Sequence, residues 1–203
     1  MSKGILLLNG EPYLEKIDAE GAFVTCCDGA YEWAKGRVKI DENVGDFDSL
    51  SYIPTPPPTE IYPSEKDFTD GEIAIRKLIS RGVDEIEIYG AGGGREDHFL
   101  GNLQLLYYSL KQGVKAKIIT QNSIIFAASG RVEFNGVKGK TFSVLPLGGK
   151  VHILYGRGFK YDYPTSLSYG ECRGISNICI EDNGVLEIAE GETALIIINR
   201  GKV

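Results

Sequence analysis

Two aspartates two positions apart, Asp46 and Asp48 in VGDFDSL, follow directly on strand-like sequence. In an extended segment residues i and i+2 point the same way, so the pair offers two carboxylates to one ligand. Oxygen donors of this kind suit magnesium, which takes one or two carboxylates and fills its octahedron with water and phosphate. Asp70 in KDFTDG and the run GAGGGREDH, Gly90 to His98, extend the same chemistry. Gly90, Gly92, Gly93 and Gly94 lack side chains, so backbone amides there can approach phosphate oxygens. Arg95 adds a forked donor, and a helix beginning near Asp97 adds the positive end of its dipole. Each residue alone has an ordinary explanation as a turn former or helix cap. Taken together, four or five carboxylates on one edge repel each other unless a cation sits among them.

These residues need a scaffold that brings them to one edge. ILLLN (5–9) and AFVTCC (22–27) read as buried strands closed by turn signals. PTPPP, Pro54 to Pro58, is a surface connection. FTDGEIAIRKLISRG is a helix: Thr69 and Glu72 form a capping box and Gly82 supplies the stop. DEIEIYG alternates as a strand should. DHFLGNLQLLYYSLKQG predicts a helix capped by Asp97, with Leu100, Leu103, Leu106 and Leu110 along it, and KAKIITQ returns as a strand. Alternation of this kind implies a mostly parallel sheet, whose ligands bind beyond the carboxyl ends of the strands. The candidate residues all fall there. After Gln121 the texture changes to short strand candidates separated by glycine and Asn-Gly turns, with no helical period. The expectation is an α/β domain over 1–121 and an all-β sandwich or barrel over 122–203.

Composition bounds the function. The chain has 203 residues, 25% of them charged, with a formal net charge of −6. That balance argues against a general nucleic-acid binder, and no apolar stretch approaches the length of a membrane span. The four cysteines form no CxxC and the two histidines are isolated, which points to reduced thiols in the cytoplasm and away from zinc. Gly-Lys-Thr in GVKGKTF lacks the first glycine of a Walker A loop and sits in the β half. No G-x-S-x-G elbow is present.

In content and order, GDFDS, KDFTDGEIAI, GAGGGREDHFLGNLQLL and GFKYDYP…GISN resemble the thiamine pyrophosphokinase family across nearly the whole chain. The resemblance implies a Rossmann-like N-terminal domain, a C-terminal β-sandwich and a homodimer holding thiamine where subunits meet. It implies magnesium-dependent transfer of the pyrophosphoryl group of ATP to thiamine. Carried over, Asp46, Asp48 and Asp70 are the magnesium carboxylates and Asp97 a further active-site aspartate. Lys66, Asp67, Arg95 and His98 join the glycines 90, 92, 93 and 94 around the nucleotide. Asp28, Ser176 and Asn177 belong to the thiamine pocket. Ala30 and Tyr31 depart from the family, where a second glycine and a small residue are common, and Glu96 stands where an apolar residue is frequent. Two other readings stay open at this level: a pyrophosphokinase for another alcohol such as a pterin, and a non-catalytic magnesium–ATP sensor.

Overall fold

A computed structural model describes residues 2–202 and divides the chain into two compact units, Met1–Gln121 and Asn122–Val203. The first unit is a six-stranded parallel sheet. Its strands are β1 (Lys3–Leu7), β2 (Ala22–Cys27), β3 (Glu42–Gly45), β4 (Thr59–Ile61), β5 (Glu85–Tyr89) and β6 (Lys115–Ile119). They lie in the order β4-β3-β2-β1-β5-β6, so the chain works outward from β1 and then returns to start again on its other side. That reversal creates a crevice at the strand ends between β1 and β5.

Continuous apolar runs make these strands the centre of the core. Ile5, Leu6, Leu7, Ile86, Ile88 and Ile118 are wholly buried, each worth about 2 kcal/mol relative to exposure. Three helices accompany the sheet: α1 (Ala30–Ala34), α2 (Asp70–Ser80) and α3 (Glu96–Lys111). α2 begins as expected, with Thr69 Oγ1 accepting the Glu72 amide at 3.1 Å, and it buries Ala74, Ile75 and Leu78. Gly4 lets it close on the sheet, since a Cβ there would lie 3.2 Å from the Leu78 side chain. At the other end of α2, Arg81 and Lys77 converge on the buried Glu42 of β3 at 2.9 and 3.1 Å.

α3 differs from its expectation. Asp97 lies inside the helix rather than capping it. The N-cap is Arg95, which makes no side-chain cap, and the Asp97 carboxylate turns to that guanidinium instead. The two-bond ion pair with Arg95 outweighs a single carboxylate–amide cap bond. The buried face carries Leu105, Leu106 and Ser109, and Leu100 is exposed.

The described residues of the second unit form eight strands in two antiparallel sheets. One contains β12 (Asn177–Ile178), β9 (Lys140–Pro146), β14 (Ala194–Lys202) and β7 (Ser123–Ala128) in that order. The other contains β11 (Ser166–Ser168), β10 (Lys150–Arg157), β13 (Gly184–Ile188) and β8 (Arg131–Phe134). Between them Phe134, Phe142, Phe159 and Tyr163 form a chain of edge-on or tilted rings with centroids 4.6 to 5.1 Å apart. Of the sandwich or barrel that the short strands left open, this is the sandwich, as the family resemblance implied. No helix among the described residues is long and apolar enough to cross a membrane. Cys26, Cys27 and Cys179 are buried and Cys172 is exposed, all as free thiols.

Candidate active site

β2 and β3 run parallel, with Cys27 opposite Val44, so their next residues emerge side by side. Asp28 follows β2 with its amide on the Val44 carbonyl at 3.0 Å. The chain after β3 then bends sharply. Asp28 has φ +45 and Phe47 has φ +59, conformations that non-glycine residues avoid and that cost on the order of 1 kcal/mol each. Burial of the Phe47 ring at 4% exposure offsets that strain and turns the flanking carboxylates outward. Gly45 cannot be larger, because its φ is +156 and a Cβ would lie 3.2 Å from Asp28.

The product is a three-carboxylate cluster. Oxygens of Asp28, Asp46 and Asp48 lie within 4.8 Å of one another. Asp46 Oδ1 accepts the Asp48 amide at 3.2 Å. Ser49 Oγ donates to Asp28 Oδ2 at 2.5 Å and in turn accepts from Asn9 Nδ2 at 3.4 Å, which adds the end of β1 to the site. Asp28 Oδ1 is buried and has no hydrogen-bond partner. A buried carboxylate oxygen left unpartnered among further carboxylates is costly unless a cation completes it. Hard oxygen donors in this number fit magnesium.

Lys66 joins this cluster to Asp70. Its Nζ lies 2.9 Å from Asp70 Oδ1 and 3.5 Å from Asp46 Oδ2, and its side chain is only 13% exposed. Burial opposes its charge, yet the two carboxylates outweigh burial and raise its pKa. Burial likewise works against the Asp46 anion, but the Asp48 amide and Lys66 hold its carboxyl below the usual range. Asp70 goes the other way: burial is its largest influence and pushes its carboxyl up despite Lys66. Of the expected magnesium carboxylates, then, the structure groups Asp46 and Asp48 with Asp28, expected in the thiamine pocket, and gives Asp70 to Lys66. Asp67 is exposed nearby in sequence.

The glycine run has two kinds of member. Gly10 donates to the Gly90 carbonyl at 2.9 Å and Glu11 to that of Gly92 at 2.6 Å, which closes the crevice between β1 and β5 by backbone contact. A Cβ on Gly90 would lie 2.2 Å from the Leu8 carbonyl, and one on Gly93 would lie 2.3 Å from Glu11. Both therefore answer to packing. A Cβ on Gly92 would lie 3.4 Å from the Phe99 ring, an ordinary contact, and one on Gly94 would meet nothing within 4 Å. Within the chain, Gly92 and Gly94 have no steric reason to be glycine, unlike Gly90 and Gly93.

Beyond Gly94, Arg95 grips Asp97 through two bonds of 3.1 and 2.6 Å on the exposed first turn of α3. That guanidinium pulls the Asp97 carboxyl down to about 2. His98 is exposed and its amide donates to Asp97.

In the second unit, Ser176 takes φ +62 and its amide donates to Ser143 Oγ at 3.0 Å. Asn177 is 6% exposed. Its Oδ1 accepts from the amides of Tyr161 and Ile178, and its Nδ2 donates to the Tyr161 carbonyl at 2.7 Å. The amide thus fixes the backbone at Tyr161, whose ring is 56% exposed. Tyr163 is instead packed against Phe159, and burial raises its hydroxyl. Reading from sequence set Asn9 and Ser49 among the strand-end residues without naming either as a site residue. Their signal is their place at strand ends, which becomes specific only once the strand order is known.

Comparison with known proteins bears on the whole chain. The family described as "Thiamin pyrophosphokinase, catalytic domain" matches residues 14–118. The one described as "Thiamin pyrophosphokinase, vitamin B1 binding domain" matches residues 130–192. A thiamine pyrophosphokinase of Bacillus subtilis (strain 168) is 34% identical over 164 residues, covering 76% of this chain and 77% of the relative. The crystal structure of thiamine pyrophosphokinase from B. subtilis superposes with a TM-score of 0.85 at 25% identity over 100% of both chains. A thiamin pyrophosphokinase from Geobacillus thermodenitrificans gives 0.81 at 25% identity, over 99% of this chain and 98% of that one. The Candida albicans thiamin pyrophosphokinase shares the fold, with a TM-score of 0.73 at 20% identity over 97% of this chain and 89% of the other.

Proposed function

The chain belongs to the thiamine pyrophosphokinase family, and we propose on that premise that it makes thiamine diphosphate and AMP from thiamine and ATP. In the reaction the thiamine hydroxyl oxygen bonds to the β-phosphorus of ATP. The bond from that phosphorus to the oxygen bridging the α-phosphate breaks, AMP leaves, and the hydroxyl proton is lost. Transfers of this type depend on positioning and charge neutralisation more than on covalent steps.

Asp28, Asp46 and Asp48 would hold magnesium, with Asp70 alongside. The ion supplies neutralising charge to the phosphate oxygens when bound. The observation that carries this reading is the gathering of the Asp28, Asp46 and Asp48 carboxylates within 4.8 Å of one another. Gly94 and the start of α3 would take a phosphate, and Gly90, Gly92 and Gly93 would hold the loop in place for it. Lys66, Arg95 and His98 would line the nucleotide, with Asp67 beside them. Asp97, which takes two bonds from Arg95, would orient that guanidinium. In the second unit Ser176 would face thiamine, while Asn177 acts through Tyr161. A homodimer in the cytoplasm with thiamine at the subunit boundary completes the proposal, and the four free thiols agree with a reducing compartment.

The test is a product assay on purified chain with thiamine, ATP and magnesium. Thiamine diphosphate and AMP should appear in equal amounts. Thiamine monophosphate with ADP would replace pyrophosphoryl by phosphoryl transfer. Binding of magnesium–ATP without turnover would leave only a sensor.

A further inference from the structure

Four carboxylates (Asp28, Asp46, Asp48 and Asp70) and one ammonium share the edge formed by β2, β3 and the start of α2. The ammonium divides them unequally. Lys66 lies closest to Asp70, reaches Asp46 Oδ2 at 3.5 Å, and makes no ion pair with Asp28 or Asp48. Asp46 is therefore shared, with one oxygen toward Lys66 and the other on the Asp48 amide. Asp28 Oδ1 has no hydrogen-bond partner.

We infer that Lys66 is a resident counter-ion that competes with the divalent metal for Asp46 and Asp70, and that an incoming triphosphate relieves the competition by drawing the ammonium to itself. The inference rests on the magnesium reading above. Its physical basis is charge placement. Lys66 is nearly buried between two carboxylates, where like-charge repulsion toward a divalent ion is poorly screened. A like charge a few ångströms from a cation site lowers affinity by about one order of magnitude. Phosphate oxygens give the ammonium an equivalent partner, and metal and nucleotide then favour each other. Without nucleotide Lys66 acts on the metal through Asp46 and Asp70, and with nucleotide bound it touches the phosphates.

The experiment uses the full chain without nucleotide. Magnesium binding is measured by calorimetry for the native chain, Lys66→Met and Lys66→Arg. Lys66→Met should bind magnesium about tenfold more tightly, and Lys66→Arg should not. Equal or weaker binding by Lys66→Met would overturn the inference. A second measurement needs no variant. Labelling of the Lys66 amine by acetic anhydride, read by mass spectrometry, should rise as magnesium is added and fall again with a non-hydrolysable ATP analogue. Labelling indifferent to magnesium would overturn the inference as well. The product assay judges the activity separately: turnover with no Lys66 effect sinks this inference and leaves the proposed function standing.

Discussion

At the end of β2, Asp28 keeps a buried oxygen without a hydrogen-bond partner, whereas in the second unit Asn177 is more deeply buried and bonds the backbone of residues 161 and 178 through both ends of its amide. Asn177 comes from a motif that carries the family resemblance and Asp28 from an Asp-Gly pair that matches the family less fully, and they stand differently toward their surroundings. A carboxylate that the fold leaves short of partners beside other carboxylates is held ready for a cation, at a cost to stability. A group that the fold satisfies completely belongs to the scaffold.

Substitutions at the two places should therefore separate activity from stability. The largest effect is expected for Asp28→Asn, which should lower kcat/KM by roughly 10² to 10³-fold. Its denaturation midpoint should hold or rise, because repulsion within the cluster is removed; a lower midpoint would make Asp28 a structural residue. Gly90→Ala comes next. It forces a methyl against the Leu8 carbonyl at positive φ, and urea unfolding should register a loss of about 3 kcal/mol. Asn177→Ala should cost about 2 kcal/mol by leaving the Tyr161 backbone unpaired. A raised KM for thiamine at unchanged stability would instead make Asn177 a contact residue and collapse the contrast with Asp28.

The smallest effect concerns Glu87, which lies between Lys3 and Lys117 at 2.8 and 3.0 Å with the Tyr89 hydroxyl beside it. Burial pushes its carboxyl up, but the two lysines and Tyr89 prevail and hold it below the usual 4.5. The unfolded chain thus takes up this proton at a higher pH than the folded one. Its contribution is complete above about pH 4.5 and fades as pH falls through the lower folded value. Glu87→Gln should flatten the stability profile there by less than about 1 kcal/mol, measured by denaturant titration from pH 3 to about 6.

Much of the scaffold was legible because it is written locally. The Thr69–Glu72 cap, the Gly82 stop and the apolar runs of β1, β2, β5 and β6 need only near neighbours to be read. α1, β4, β11 and β12 are short, and their patterns do not stand out from loops. Asp97 misled because an N-cap and an Arg95 partner look alike in sequence, and the bidentate ion pair prevails. The site was legible as a set of strand ends but not as a grouping. Asp28 meets Asp46 only because β2 and β3 are adjacent, and Lys66 takes Asp70 as a local pair, four residues apart, whose shared reach to Asp46 depends on the end of β3. The glycines were legible as a run, while their division into packing and open positions depends on how closely the β1 loop approaches.

The order β4-β3-β2-β1-β5-β6 also has a meaning in time. β1 lies between β2 and β5, and its Lys3 pairs with Ala22 on one side and Glu85 on the other. One flank can close early, by a short crossover. The other has to wait through β3, β4 and α2, with the loop-closure entropy that such separation carries. Until then a wholly buried strand of the finished sheet, Ile5-Leu6-Leu7, presents an unpaired apolar edge. While β5 is absent, that edge is a template for pairing with another copy of the chain.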